Sequence, residues 1–240
     1  MSIAQMTNVL GTASDELARR ATPVTTRKHQ RVTLPGAPDE TLLLIRKGLF
    51  VSRTAIPDSS STVITLLYPG DIACARAIPA QGHAEIITAS DVGEIWRLHG
   101  PAVRMLQQTN RGMAHEIAGR LADQAARLAL HNAVIGSLTG DERVAALLME
   151  LALRTGKHTP AGIAFAMPLS RLDIAEHLAL NADTVSRIMS RMRASGLITM
   201  TRRRSVICRD LDSLARACPL GEALARVHGT SHASEADNAP

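Results

Sequence analysis

The sequence predicts an α+β fold in three parts: a small N-terminal β barrel or sandwich, a long helix, and a C-terminal winged helix-turn-helix. Three observations predict it. Short β-type runs broken by turn residues occupy residues 31–98, and an apolar seam of helical spacing follows. Between Ser170 and Arg209, eight arginines stand against only Asp173, Glu176 and Asp183, so this segment alone carries an excess of five, equal to the net charge of the 240-residue chain.

The composition, 45% hydrophobic and 20% charged, is that of a globular chain. No run approaches eighteen apolar residues, which excludes a spanning helix, and the N-terminus lacks the basic and apolar regions of a secretory signal. A cytoplasmic location without membrane contact is expected. Cys74, Cys208 and Cys218 are too few for a disulfide framework or a four-thiolate metal site. With only Phe50, Tyr68, Trp96 and Phe165 as aromatics, stacking platforms for unpaired bases are disfavoured, and duplex DNA stays open.

Residues 1–25 show no persistent period and form an N-terminal segment. Over 26–100 the runs TLLLIRKGLFVSRT, TVITLLYPGD and AEIITASDVGEIWRL read as strands. Pro35-Gly36, Pro57-Asp58, Pro69-Gly70 and Asp91-Val92-Gly93 supply the turns. Pro101 suits a first helical turn, and one helix is expected over 101–133, about 45 Å long. Val103, Leu106, Asn110, Met113, Ile117, Leu121 and Leu128 draw its seam, with Asn110 as the polar interruption. Leu106, Met113, Ile117, Leu121 and Leu128 are the candidate contacts to a second copy in a homodimer.

The winged helix-turn-helix domain is expected over 138–219. Thr139-Gly140-Asp141-Glu142 opens its first helix, and KHTPAGIAFAMP reads as a loop or short hairpin. Ser170 with Asp173 resembles a capping box before RLDIAEHLAL, whose Leu172, Ile174, Ala175 and Leu178 are placed toward a core. After a three-residue turn, a second helix runs to Ser195 and Gly196. Val185, Ile188, Met189 and Met192 share one face of it, while Asp183, Ser186, Arg187 and Ser190 share the other. An arginine suits guanine O6 and N7, a carboxylate accepts from cytosine N4, and a serine contacts either edge. The groups crowd the N-terminal end, the end that enters the major groove. LITM, the turn TRRRS and VIC then form a wing with Arg202, Arg203 and Arg204 at its tip, placed to grip phosphate. Residues 227–240 are small, polar and expected to be disordered. No nucleotide-binding glycine loop, nucleophile elbow or HExxH motif appears, so an enzyme is not expected.

The run LSRLDIAEHLALNADTVSRIMSRMRASGLITMTRRRSVI resembles the DNA-binding domain of the Crp/Fnr family of bacterial transcription regulators, and the order of parts matches that family over roughly residues 30 to 215. The resemblance implies a cyclic-nucleotide-binding-like β-roll, a dimerisation helix, double-stranded DNA as ligand, and RNA polymerase as a further partner. It places Asp183, Ser186 and Arg187 at base-reading positions and Ser170, Arg171 and Thr184 at the DNA backbone. Ser190, Arg191 and the wing arginines extend that backbone track. Thr-Val-Ser-Arg is closer to the Fnr and FixK branches and implies an inverted repeat of TTGA-like half-sites. Two departures stand out: Asp183 replaces a glutamate, and Ala179 replaces the turn glycine, at a cost of up to about 1 kcal/mol where that residue takes a positive φ.

The presumed phosphate loop, PGDIACARAIPAQGHAEIITAS, has Ala75 at the ribose-binding glutamate's place and Glu85-Ile86 at that of an Arg-Ser pair. A carboxylate where phosphate must sit is repulsive, so cyclic-nucleotide control is not expected. Three cysteines rule out the four-thiolate iron-sulfur cluster. His83, His99 and His115 lack ligand spacing for haem, and no cofactor is expected. The alternative is a ligand- or redox-sensing module that acts through protein contacts with weak DNA binding. Its candidate redox group is Cys208, beside arginines that would lower its pKa, although the role expected first for Cys208 is that of a small apolar strand residue.

Overall fold

The structure is a computed structural model that describes residues 19–34, 41–54, 61–74, 84–200 and 205–229. It divides into two compact units, residues 1–124 and 125–240.

The first unit is built of eight strands: β1 (Thr22–Arg27), β2 (Arg31–Leu34), β3 (Leu42–Lys47), β4 (Phe50–Thr54), β5 (Thr62–Leu67), β6 (Ile72–Cys74), β7 (Ala84–Thr88) and β8 (Val92–Leu98). They pair antiparallel in two sheets, ordered β1-β8-β3-β6 and β2-β7-β4-β5, a double-sheet roll. Strand β1 begins inside the segment, residues 1–25, whose sequence shows no period. Period-two alternation explains the unbroken apolar run of β3. Leu43 and Ile45 join Val32, Phe50, Leu67, Ile86 and Ile95 in one core, while Leu42 and Leu44 join a second with Ile72 and Leu98.

That second core receives helix α1 (Gly100–Thr109) and the start of helix α2 (Arg111–Ser137) through Val103, Leu106 and Met113. The single helix expected over 101–133 is therefore two helices, the second ending at Ser137. They part at Asn110, which leaves helical geometry at φ −133° and ψ 95°. Its side-chain Oδ1 accepts from the Met113 N–H at 3.0 Å, which caps α2. The polar interruption of the seam is thus its break. Leu106 and Met113 are spent inside the chain rather than on a second copy.

Along α2, Met113, Ile117, Arg120 and Gln124 face the roll. Arg120 donates to the Gly70 carbonyl at 2.7 Å, and Gln124 exchanges two hydrogen bonds with the Ile72 backbone at 2.8 and 2.9 Å. About a quarter turn away lies a second stripe at heptad spacing, formed by Ala118, Leu121, Ala125, Leu128, Asn132 and Ile135. Leu121 and Ile135 are half-buried, Leu121 against the second core of the roll, and the others are exposed, Leu128 at 37%.

The second unit is organised on α3 (Gly140–Thr155), buried from Val144 to Leu153 except at Glu150. Its N-terminus is closed by Glu142, whose carboxylate accepts from the Thr139 N–H and hydroxyl at 2.8 Å each and is held below its usual pKa by those bonds. A hairpin of β9 (Lys157–Thr159) and β10 (Gly162–Ala166) joins β11 (Ile198–Met200) and β12 (Ser205–Cys208) in a sheet ordered β11-β12-β10-β9. Helices α4 (Arg171–His177) and α5 (Ala182–Ala194) form the helix-turn-helix, and α6 (Leu211–Arg216) and α7 (Gly221–Gly229) pack onto α3. Val227, His228 and Gly229 belong to α7 rather than to the polar tail, and 230–240 lie outside the described residues.

Candidate nucleic-acid interface

The first helix of the pair is set by Ser170. Its hydroxyl accepts from the Asp173 N–H at 3.0 Å, and the Asp173 carboxylate accepts from the Ser170 N–H at 3.0 Å and hydroxyl at 2.6 Å. The capping box therefore closes despite the shorter acid. Ile174, Ala175 and Leu178 are buried as their spacing requires. Leu172 is not: it stands 60% exposed beside Arg171. At i−2 from Ile174 it falls on the opposite side of a 3.6-residue helix.

The turn between the helices carries strain. Ala179 sits at φ +50°, in the left-handed region that glycine occupies without penalty. The Leu180 N–H reaches the Ala175 carbonyl at 2.8 Å. Arg143, which the sequence did not single out, holds the turn from α3: its guanidinium donates to the carbonyls of Leu138 at 2.9 Å, Leu178 at 3.1 Å and Ala179 at 3.4 Å. No motif marks Arg143, because its partners are backbone oxygens.

Asn181 starts α5 by accepting from the Thr184 N–H at 2.7 Å. Val185, Ile188, Met189 and Met192 are buried beneath it. Asp183, Arg187 and Ser190 are exposed, with Ser186 half-buried between them. Their i, i+3, i+4 and i+7 spacing brings them to one face. The Ser186 hydroxyl donates to the Ala182 carbonyl at 2.9 Å, which leaves its lone pairs outward as acceptors. Arg171, Ser170, Ser186, Ser190 and Arg193 border one open groove floored by Met167, Met189 and Met200. Arg193, exposed in the last turn of α5, was not among the expected contacts.

One expected backbone contact is engaged elsewhere, and the redox candidate is packed away as a strand residue is expected to be. Arg191 does not stand with this group: its Nη2 reaches both carboxylate oxygens of Asp141, at the N-terminus of α3, at 2.7 Å. Cys208 is fully buried in β12, between β10 and β11, and burial pushes its thiol above the ordinary value instead of below it. It is a packed strand residue, not a reactive thiolate. Arg202, Arg203 and Arg204 lie outside the described residues; the strands that flank them pair in register from Met200↔Val206 to Ile198↔Cys208.

In the roll, Ile86 is wholly buried in the core and Glu85 pairs with Arg31 across the sheet at 3.6 Å. The side chains of Glu85 and Ile86 offer a phosphate neither a donor nor a positive charge, so these two residues do not fit a cyclic nucleotide there. Ala75 and His83 lie outside the described residues, and His99 and His115 are exposed. Among the described residues no three His, Cys, Asp or Glu groups converge to hold a metal ion. Likewise, no described helix is long and apolar enough to cross a membrane.

A helix pair with a polar recognition face, a flanking β-hairpin and a separate eight-stranded roll defines a winged helix-turn-helix DNA-binding protein. The Crp-like helix-turn-helix domain family matches residues 142–217. Electron transport regulator A of Shewanella oneidensis is 29% identical over 192 residues, covering 77% of this chain and 73% of its own. The fumarate and nitrate reduction regulatory protein of Vibrio cholerae is 27% identical over 194 residues, covering 78% and 74%. The structure of FixK2 from Bradyrhizobium japonicum shares the fold, with a TM-score of 0.70 and 22% identity over 82% of this chain and 97% of that one. Residues 142–217 are thus a Crp-like helix-turn-helix domain, and over about three-quarters of its length the chain is similar to DNA-binding transcription regulators of the Crp/Fnr family.

Proposed function

We propose that the protein acts as a homodimer on an inverted repeat of TTGA-like half-sites, without cyclic-nucleotide or iron-sulfur control. Asp183, Ser186 and Arg187 read bases in the major groove, and Ser170, Arg171, Thr184, Ser190 and the wing arginines grip the backbone. The observation that carries this reading is the exposed face of α5, where acceptor, hydroxyl and guanidinium groups crowd the N-terminal two turns while its other face is buried. Regulation is completed through RNA polymerase bound nearby.

The dimer is formed by the outer stripe on α2, with exposed Leu128 as its apolar contact and Leu121 and Ile117, both half-buried against the roll, at its margin. Ala118, Ala125 and Asn132 fill the alternate positions. Small residues let two helices approach closely, and one polar residue in a seam fixes register. Two half-sites one helical turn apart then match the two-fold axis. Independence from cyclic nucleotide is supported by the Glu85–Arg31 pair and by burial of Ile86.

The test is selection of bound sites from a random duplex library with purified protein, with and without cyclic AMP, alongside sedimentation to fix the mass. Recovery of one TTGA-like inverted repeat by a dimer without additive is the expected result. Recovery of no consensus sequence overturns the reading, as does recovery that requires the nucleotide.

A further inference from the structure

Three histidines meet inside the C-terminal unit. His131 stands on the second half of α2, His177 ends α4, and His228 is on α7. His177 and His228 are buried, and His131 is half-buried. The rings of His131 and His177 stack with centroids 4.1 Å apart and planes 13° from parallel. Both ring nitrogens of His177 and Nδ1 of His228 have no hydrogen-bond partner among the protein groups described. A void of about 10 Å³ beside them is at the lower limit for one water. Stacked rings turn faces rather than nitrogens toward each other, so this is not a metal centre.

The charged groups facing the cluster are Arg127 from α2 and Glu150 and Arg154 from α3. Two guanidiniums against one carboxylate make the surroundings hostile to a further positive charge. Three elements thus meet through groups that pack only while neutral: the end of the long helix, the first helix of the helix-turn-helix and the last helix of the unit.

We propose that His131, His177 and His228 form an acid-release lock on the DNA-binding unit. Neutral, they hold α4 and α7 against the end of α2; protonated, they repel one another and Arg127 and Arg154, and α7 and α4 come loose. The output, loss of DNA binding, rests on the function proposed above; the lock itself does not.

Burial is the first cause that holds all three below the ordinary imidazole value of 6.5, His228 down to about 3 and His177 well below that value. The folded unit therefore binds fewer protons than the unfolded chain below pH 6.5. Stability is full above that pH and drains as pH falls beneath it. A histidine that stays neutral when folded raises the unfolding constant about fivefold between pH 6.5 and 5.5, so His177 and His228 together raise it about thirtyfold, and His131 adds to that.

The test uses the full chain. Urea unfolding is followed by far-ultraviolet circular dichroism at pH 7.5, 6.5 and 5.5 and constant ionic strength, for the natural protein and for His177→Phe, which keeps a flat ring on His131. The expected result is a rise of at least about thirtyfold below pH 6.5, smaller by about fivefold in the variant. A flat profile in the natural protein, or an equal rise in both, overturns the lock. Should the variant not fold, proton resonances of the nine histidines of the natural protein decide. Those of His177 and His228 should keep neutral shifts until the unit unfolds, and ordinary titration of all nine in folded protein overturns the lock. Duplex affinity in the same buffers should fall with the unfolding. Absence of affinity already at pH 7.5 would overturn the regulator reading, and the unfolding arm would still decide the lock.

Discussion

Replacing Ala179 by glycine should stabilise the protein, although glycine usually destabilises an ordered segment. Ala179 is held at φ +50° by the tight turn between α4 and α5, with the Leu180 N–H bonded back to Ala175 and Arg143 gripping the carbonyls of Leu178 and Ala179. A Cβ in that region costs about 1–2 kcal/mol. Its methyl group is exposed, so deleting it forfeits little burial. Against the relief stands the wider unfolded ensemble of glycine, worth about 0.4–1 kcal/mol. The difference leaves a net gain of about 0.5–1 kcal/mol, or roughly a two- to fivefold smaller unfolding constant. Urea unfolding read by circular dichroism resolves this as a higher midpoint at unchanged slope. Ala179→Val, with a branched Cβ in the same place, should lose more than about 1 kcal/mol. Destabilisation by the glycine variant of about 0.5 kcal/mol or more would refute the reasoning, since that is the response of a residue in ordinary helical geometry.

Three further outcomes follow from named contacts. Arg143→Leu should cost about 1–3 kcal/mol in the same unfolding assay, because a charged donor to three carbonyls is lost; an unchanged midpoint would show that the turn does not need it. Leu128→Glu should shift the sedimenting species from dimer to monomer while circular dichroism is unchanged, whereas Leu106→Ala should destabilise the fold by about 2–5 kcal/mol. A Leu128→Glu protein that stays dimeric would contradict the placement of the seam. Alkylation of Cys208 in folded protein at pH 8 should be slower than in urea by orders of magnitude, and DNA affinity should be indifferent to mild oxidant; rapid alkylation of folded protein would restore the redox alternative.

Much of the architecture is legible in the sequence because its signals are local. The capping residues Ser170 and Thr139 lie within three positions of their partners, and the amphipathic split of α5 repeats over three turns. The positive φ expected at Ala179 follows from a turn only three residues long. What escaped depends on distance or on degenerate patterns. A helix with two apolar stripes a quarter turn apart yields one seam when read linearly, so Met113 and Leu128 were grouped although one packs on the roll and the other faces out. Asn110 reads as a polar residue in a seam, and only its bond to Met113 shows that it starts a new helix. Arg191 looks like a phosphate contact until Asp141, fifty positions away, comes within 2.7 Å. The three histidines carry no shared spacing, and their meeting is a property of the packed unit.

The most direct test of the central claim, that α5 reads bases through Arg187, is a binding matrix. Natural protein, Arg187→Ala and Arg171→Ala are titrated at fixed salt against the selected duplex and its single base-pair variants. The account predicts that Arg187→Ala loses about 1–3 kcal/mol on the selected site and no longer discriminates at one base pair of each half-site, while Arg171→Ala weakens all duplexes alike and lowers the salt slope by about one. A uniform loss across all duplexes for Arg187→Ala, or no loss, would contradict it.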